Sequence, residues 1–264
     1  LPSEASPAQR SAIAIGAIKL LKKAKPPALM GAEAIHRIVP GNLDDDLDAA
    51  VAASDLVLEA VVERLDIKQA LFKRVAAAAP AEAILATNTS GIPIHAIADA
   101  LPSDAKRRVV GLHFFNPPRW MHLLEVIPSA DTSDAVVADA ADFCDRVLGK
   151  GIVHCRDTPN FIGNRVGIGE MLLTFKATRE LGMSVEEVDV LNGPLMGRPK
   201  TGSYRLGDMV GLDIVGHVVK NLQDTLSGEE GADNYDPLYD IMTVPPVLEK
   251  MYERNMLGDK TRGG

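Results

Sequence analysis

Over the first 157 residues, apolar runs of strand length alternate with segments that have the apolar spacing of helices. Continuous apolar runs have the length of strands, at 55–63, 83–90, 107–115, 121–127 and 151–157. Segments with the apolar spacing of helices lie among them, at 64–79, 93–101 and 133–150. Apolar strands interleaved with helices are typical of a mostly parallel sheet covered on both faces. The pattern therefore predicts an α/β domain over residues 1–157.

Three further elements are expected before the first apolar run. A helix is predicted over 6–25, with Ser6 as its N-cap and Pro7 in its first turn. A short strand is predicted at 36–40 and a helix at 42–54. The aspartates at 44–46 would then favour the dipole at the start of that helix rather than a metal ion.

The pattern changes after Thr158-Pro159, where helical spacing replaces strand-like runs. Helices are predicted at 160–182, 184–193, 205–226 and 236–256. Ser184 and Glu187 form the sequence signature of a capping box at the start of the second of these. Residues 158–264 are therefore predicted to be a separate all-α domain.

Composition excludes several classes of protein. With 46% apolar and 24% charged residues, the 264-residue chain is globular, and its net charge of −8 argues against nucleic-acid binding. No apolar run approaches the ~18 residues of a membrane span, and no signal peptide precedes the first helix. The two cysteines, Cys144 and Cys155, lack metal-binding spacing, which favours a reducing, cytoplasmic location.

Polar side chains follow three neighbouring apolar runs, at the points where the strands should end. These residues are Glu59 with Glu63, Asn88 with Ser90, and His113 with Asn116. Each pair alone could be ordinary turn chemistry. Because ligands bind at the carboxyl ends of the strands in an open α/β sheet, the three pairs together predict a ligand crevice.

His113 and Glu125 lie at equal distances from Arg119 along the chain. If 107–115 and 121–127 form an antiparallel hairpin, the two side chains are opposite each other and can hydrogen-bond. A carboxylate on one imidazole nitrogen raises the basicity of the other, as proton abstraction near neutral pH requires. The alternative is a buried histidine in a purely structural ion pair. His122 has the opposite strand parity from Glu125 and is expected to be structural, and no histidine has metal-binding spacing.

Asn164 is an unusual polar residue near the start of the first long helix of the second domain. Asparagine is mildly disfavoured inside helices, so its side chain should bond either the local backbone or a ligand.

Several segments together resemble the 3-hydroxyacyl-CoA dehydrogenase family. They are "VVERLDIK", "ATNTS", "HFFNPPRWMHLLEVI", "RDTPNFIGNR" and "GRPKTG", in this order over nearly the whole chain. The variants "NPPRWMHLLE" and "LKKAKPPALM" are most similar to the branch in which the dehydrogenase is fused to an enoyl-CoA hydratase module. The resemblance implies a Rossmann-like NAD-binding domain followed by the all-α C-terminal domain. It also implies a homodimer formed through the helical domain.

The resemblance assigns roles to individual residues in the oxidation of (S)-3-hydroxyacyl-CoA during fatty-acid β-oxidation. It implies that His113 is the general base and that Glu125 orients it. It implies that Ser90 and Asn164 bind the substrate oxygens. The residues that would line the NAD site are Glu63, Lys68, Asn88, Ser90 and Asn116. Lys25 would contact the coenzyme A phosphates, although "LKKAK" could equally be a solvated helix end.

The chain departs from the family pattern at its start. The family begins with a strand, a GxGxxG turn and a helix, and the chain contains no GxGxxG. That turn supplies the backbone amides and helix dipole that hold the pyrophosphate. The expectation is therefore a Rossmann-like domain that lacks its first strand, glycine turn and first helix.

Two other functions remain open from the sequence. One is a catalytically silent fragment that serves acyl-CoA binding or dimerisation, since the glycine turn is missing. The other is a dehydrogenase for a β-hydroxy acid without coenzyme A.

Overall fold

The structure is a computed structural model that describes residues 6–264, apart from the side chain of Ala8. It divides into two compact units. The sheet unit comprises the residues up to Thr89 together with Ile94–His154. The helical unit comprises Ser90–Pro93 and Cys155–Gly264.

From residue 6 to residue 154, the sheet unit contains five strands in the order of the sequence. They are β1 Leu56–Glu59, β2 Ile84–Thr87, β3 Val109–Phe114, β4 Leu123–Pro128 and β5 Gly151–His154. Neighbouring strands are parallel except β3 and β4, which are antiparallel. The helices of the unit are α1 Pro7–Arg10, α2 Ala12–Leu21, α3 Leu47–Ala52, α4 Leu65–Ala78, α5 Ile94–Ala98, α6 Ser103–Lys106 and α7 Asp134–Arg146. The mostly parallel sheet predicted from the apolar runs is confirmed.

Alternate residues of β3 and β4 bury the two faces of the sheet against different helices. Val110 and Leu112 pack on one face with Ala140 and Cys144 of α7. Gly111, between them in sequence, faces Ile94 of α5 on the other side. Because strand side chains alternate between faces, His113 belongs to the same face as Gly111.

We expect Gly111→Ala to destabilise the sheet unit. A Cβ at this position would lie 2.7 Å from Ile94 Cδ1 and 3.0 Å from Ile127 Cβ, so both buried side chains would have to move. Overpacking of this kind costs about 1–3 kcal/mol of unfolding free energy, measurable by urea denaturation. Gly167→Ala is the matched control, because it lies inside a helix with no atom within 4 Å of the added Cβ. The control should be neutral or stabilising, and a loss as large as that of Gly111→Ala would contradict the argument.

Some elements near the start of the chain were predicted incorrectly. Instead of a strand at 36–40, the structure has a 3₁₀ helix over Ala32–Arg37, and Val39 is 89% exposed. Within the described residues, this short apolar stretch pairs with no strand, and a lone strand is not stable in water. The predicted helix over 6–25 is confirmed at its Ser6 cap, but it is interrupted at Ser11 and ends at Leu21.

The sequence predicted the aspartates at 44–46 in the first turn of a helix, but they lie before it. The helix begins later, at Leu47. Asp45 instead accepts a hydrogen bond from Arg10 Nε at 2.8 Å, and this bond lowers the pKa of the Asp45 carboxyl. Asp45 thus joins the turn before α3 to Arg10 of α1.

The helical unit contains five α-helices, α8 Gly163–Leu181, α9 Val185–Leu191, α10 Tyr204–Val210, α11 Leu212–Thr225 and α12 Pro246–Glu253. Short 3₁₀ helices lie at Pro194–Met196, Tyr239–Ile241 and Asp259–Thr261. The core is formed by apolar side chains of α8, α11 and α12, including Met171, Leu172, Val215, Val219, Leu222 and Leu248. In the described part of this unit, strand-like pairing is limited to two isolated bridges. No helix among residues 6–264 is long and apolar enough to cross a membrane.

The ends of the helices in this unit follow local sequence chemistry. The capping box of α9 is confirmed, with the Ser184 hydroxyl accepting from the Glu187 amide and the Glu187 carboxylate accepting from the Ser184 amide. The single helix predicted over 205–226 is wrong, because Gly211 has φ +101° and separates α10 from α11. A residue with a side chain rarely adopts this backbone conformation, so the glycine is what permits the break.

Candidate active site

His113 and Glu125 are directly opposite each other in the β3–β4 hairpin. The His113 Nδ1 atom lies 2.7 Å from Glu125 Oε2, and the two residues are 4% and 0% exposed. The strand pairing alone produces this contact, since the two residues are in register and strand side chains in register project to the same face. The hairpin predicted about Arg119 is therefore confirmed.

The chemistry of the pair decides which imidazole nitrogen is basic. With Glu125 ionised, its carboxylate can only accept hydrogen bonds, which puts the proton on Nδ1 and the lone pair on Nε2. The Phe115 ring packs against the imidazole with its centroid 4.6 Å away. The site thus presents one nitrogen base of defined tautomer with little access to water.

Asn88 connects the end of β2 to the strands on either side. Its side-chain oxygen accepts from the backbone amide of Phe114 at 2.8 Å. The backbone amide of Asn88 donates to the Glu59 carbonyl, also at 2.8 Å. Asn88 therefore aligns the carboxyl ends of β1, β2 and β3. The sequence placed Asn88 at this edge, and the structure adds that its side-chain oxygen is bonded to the neighbouring strand.

Lys68 and Glu63 are brought together, and Lys68 has a further partner in Glu59, which the sequence had placed at the same edge of the sheet. The ammonium group lies 3.1 Å from Glu63 and 2.9 Å from Glu59. Lys68 is 1% exposed and Glu59 is 5% exposed. Thr87 and Thr89 also donate to these carboxylates, at 2.7 and 2.5 Å. Neither threonine was predicted as a site residue, because a threonine in an apolar run gives no distinct signal.

Asn116 and Lys25 lie on the surface of the sheet unit. Asn116 is exposed in the connection between β3 and β4, beyond the buried His113. Lys25 is exposed four residues after the end of α2, so its predicted place on the basic end of a helix is wrong. Its segment is held to the β3–β4 connection, because the Trp120 indole nitrogen donates to the Pro27 carbonyl at 3.0 Å.

Ser90 and Asn164 both belong to the helical unit. The Asn164 amide nitrogen lies 3.5 Å from the Ser90 carbonyl oxygen, at the upper limit of a hydrogen bond. Asn164 is the second residue of α8, near the helix start as predicted, so it lies where backbone amides point out of the helix. The structure therefore brings together the two residues that were predicted to bind substrate oxygens.

Other candidate groups show structural contacts. His122 is exposed, and its Nδ1 lies 3.1 Å from the Gly149 carbonyl oxygen. Cys144 and Cys155 are not joined in a disulfide, and burial raises the pKa of the Cys144 thiol, which disfavours the reactive thiolate. Among the described residues, no three His, Cys, Asp or Glu side chains are grouped in a way that could hold a metal ion.

The polar groups at the carboxyl ends of β1–β3 fit the nicotinamide and ribose part of a dinucleotide. The Glu63 side chain is 44% exposed, while the Lys68 ammonium behind it is buried. Exposed carboxylate and amide oxygens at this edge can accept from ribose hydroxyls and from a carboxamide.

Comparison with protein families covers almost the whole chain. Residues 4–158 match the NAD binding domain of 3-hydroxyacyl-CoA dehydrogenase, and residues 161–264 match the C-terminal domain of the same enzyme.

Three related proteins illustrate this similarity. A probable 3-hydroxyacyl-CoA dehydrogenase of Bacillus subtilis is 38% identical over 97% of this chain, which spans 31% of that relative. A probable 3-hydroxyacyl-CoA dehydrogenase of Deinococcus radiodurans is 36% identical, also over 97% of this chain and over 70% of its own length. The crystal structure of (S)-3-hydroxybutyryl-CoA dehydrogenase PaaH1 from Ralstonia eutropha has a TM-score of 0.76 and 31% identity. That match covers 98% of this chain and 86% of the solved one.

Proposed function

The chain belongs to the 3-hydroxyacyl-CoA dehydrogenase family, and from this membership we propose that it oxidises (S)-3-hydroxyacyl-CoA to 3-oxoacyl-CoA with NAD. The observation that carries the proposal is the buried His113–Glu125 pair at the carboxyl end of β3. The reaction is a step of fatty-acid β-oxidation, and we place the protein in the cytoplasm.

His113 acts as the general base in this proposal. Its Nε2 atom takes the proton of the 3-hydroxyl group as the C3–H bond breaks and the C3 carbonyl forms. NAD, when bound, supplies the acceptor for the hydride that leaves C3. The low exposure of His113 favours this role, because a base shielded from water keeps its proton exchange directed at the substrate.

Glu125 orients His113 and stabilises its protonated form. As the imidazole takes up a proton it becomes a cation, and the carboxylate 2.7 Å from Nδ1 offsets that charge. Since Glu125 is fully buried, the attraction is little screened by water.

The remaining site residues divide between cofactor and substrate. Glu63, Asn88, Ser90 and Asn116 line the NAD site in this proposal, and Lys68 contributes to it from behind Glu63, 3.1 Å from that carboxylate. Ser90 and Asn164 hydrogen-bond the substrate oxygens, and their contact within the helical unit supports a joint role. Lys25, an exposed cation, contacts the coenzyme A phosphates.

We also propose a homodimer formed through the helical unit and an association with an enoyl-CoA hydratase module. Large apolar side chains of this unit are exposed, among them Leu181, Val190, Leu195 and Met196. An apolar surface of this kind supports a protein–protein interface. The module is supported by the similarity of "NPPRWMHLLE" and "LKKAKPPALM" to the fused branch of the family.

Turnover tests the proposed activity directly. The chain is mixed with NAD and (S)-3-hydroxybutyryl-CoA, and NADH formation is followed by its absorbance. We expect turnover with the (S) enantiomer and none with the (R) enantiomer, which serves as the control. Turnover of free 3-hydroxybutyrate instead would favour a dehydrogenase for acids without coenzyme A. The absence of both turnover and NADH binding, measured by fluorescence titration, would favour the catalytically silent fragment.

A further inference from the structure

Five side chains at the ends of β1 and β2 form a closed network of hydrogen bonds, here called the Glu59 network. Glu59 ends β1 and Thr87, its partner in register, ends β2. Glu59 accepts from Lys68 at 2.9 and 3.0 Å and from the Thr87 hydroxyl at 2.7 Å. Lys68 also contacts Glu63 at 3.1 Å. Thr89 closes the network, since its hydroxyl donates to Glu63 at 2.5 Å and its amide donates to Thr87 at 3.3 Å.

The members of this network differ sharply in their exposure. Thr87, Thr89 and Lys68 are 0–1% exposed and Glu59 is 5% exposed. The Glu63 side chain, in contrast, is 44% exposed. Glu63 is therefore the one member that can reach a ligand without rearrangement of the others.

Glu59 is the charge on which the network depends. Its two oxygens accept four hydrogen bonds, the fourth from the Val61 amide at 2.5 Å. Lys68 is buried and needs a compensating negative charge. In a variant without the charge of Glu59, Glu63 is the carboxylate left on the ammonium among the described residues, and it would be drawn closer to Lys68.

We propose that Glu59 is a positioning residue that holds the exposed carboxylate of Glu63 in place for the dinucleotide. It acts through Lys68 on one side and through Thr87 and Thr89 on the other. This inference rests on the proposed function for the identity of the ligand, although the network itself does not. A purely structural ion pair would have the same contacts, but its loss would lower stability without changing cofactor affinity selectively.

Glu59→Gln is the first test, because glutamine keeps the shape of the side chain and removes its charge. We expect the Kd for NADH and the KM for NAD to rise about tenfold, as when one hydrogen bond to a charged group is lost. The kcat and the KM for the acyl-CoA should each change by less than about twofold. Asp189→Asn is the matched control. It also replaces a carboxylate by an amide, in α9, where Asp189 accepts from the amides of Ser203 and Tyr204 at the start of α10. A fall in melting temperature like that of the control, with the NADH Kd unchanged, would overturn the proposal.

Thr89→Val is the second test, in case the first variant does not fold. Valine matches the shape of threonine and removes the hydroxyl that holds Glu63, while the contacts of Lys68 with Glu59 remain. We expect the NADH Kd to rise about threefold to tenfold with kcat little changed. An unchanged NADH Kd in this variant would contradict the route through Thr89.

Carboxylate labelling separates this proposal from the proposed function. With a water-soluble carbodiimide and glycinamide, in the absence of cofactor, Glu63 should be labelled in the unsubstituted chain and less in Glu59→Gln, where it is drawn onto Lys68, while the exposed Glu229 reacts in both. An unsubstituted chain that binds no NADH overturns the proposed function, and the labelling still tests the network. Equal labelling of Glu63 in the two proteins overturns the role of Glu59, and reduced labelling in Glu59→Gln upholds it.

Discussion

Replacing His113 with glutamine is expected to lower kcat by about 10²–10⁴-fold. Glutamine can still hydrogen-bond Glu125 in the hairpin, but its amide cannot accept the proton of the 3-hydroxyl group at neutral pH. The KM for NAD should change little, because the imidazole acts on the substrate hydroxyl. Steady-state kinetics with (S)-3-hydroxybutyryl-CoA measures both quantities, and circular dichroism checks that the variant is folded.

His122→Gln is the matched control for this experiment. His122 lies in the same hairpin, but it is exposed and contacts the Gly149 carbonyl rather than Glu125. We expect its kcat to remain near that of the unsubstituted chain. If His113→Gln keeps its turnover, His113 is a buried structural histidine and the proposed mechanism is wrong.

Glu125→Gln is expected to lower kcat by about 10²-fold or more, with a smaller loss than for His113→Gln. The amide retains one acceptor for Nδ1, so the orientation of the imidazole can survive. The amide carries no charge to offset the imidazolium that forms when His113 takes up a proton. Since Glu125 is 0% exposed, water cannot replace that charge.

Stability and turnover together distinguish the two explanations of this pair. In a structural ion pair, Glu125→Gln would lower the melting temperature and leave kcat per folded molecule unchanged. In a base with its orienting carboxylate, kcat falls even where the variant is fully folded. Thermal unfolding and kinetics on the same sample therefore decide between them.

Much of the fold follows from local pattern. The apolar runs located all five strands, and the symmetric spacing of His113 and Glu125 about Arg119 predicted the hairpin register. Two predictions were wrong because they depend on strand pairing or on backbone conformation, which the apolar pattern does not show. The stretch at 36–40 has no strand to pair with in the described chain, and Gly211 divides a continuous helical pattern by its positive φ.

The sequence by itself determined the order of strands and helices and the contact of His113 with Glu125. Both depend on periodicity and on a short hairpin, and both are local properties of the chain. Only the tertiary structure decided that Glu59 shares Lys68 with Glu63 and that Thr87 and Thr89 complete the network. The threonines lie 28 and 26 positions from their carboxylates, so parallel strand pairing has to bring them together. A threonine has the same sequence pattern whether its hydroxyl faces a backbone carbonyl or a buried carboxylate, and packing alone makes the difference.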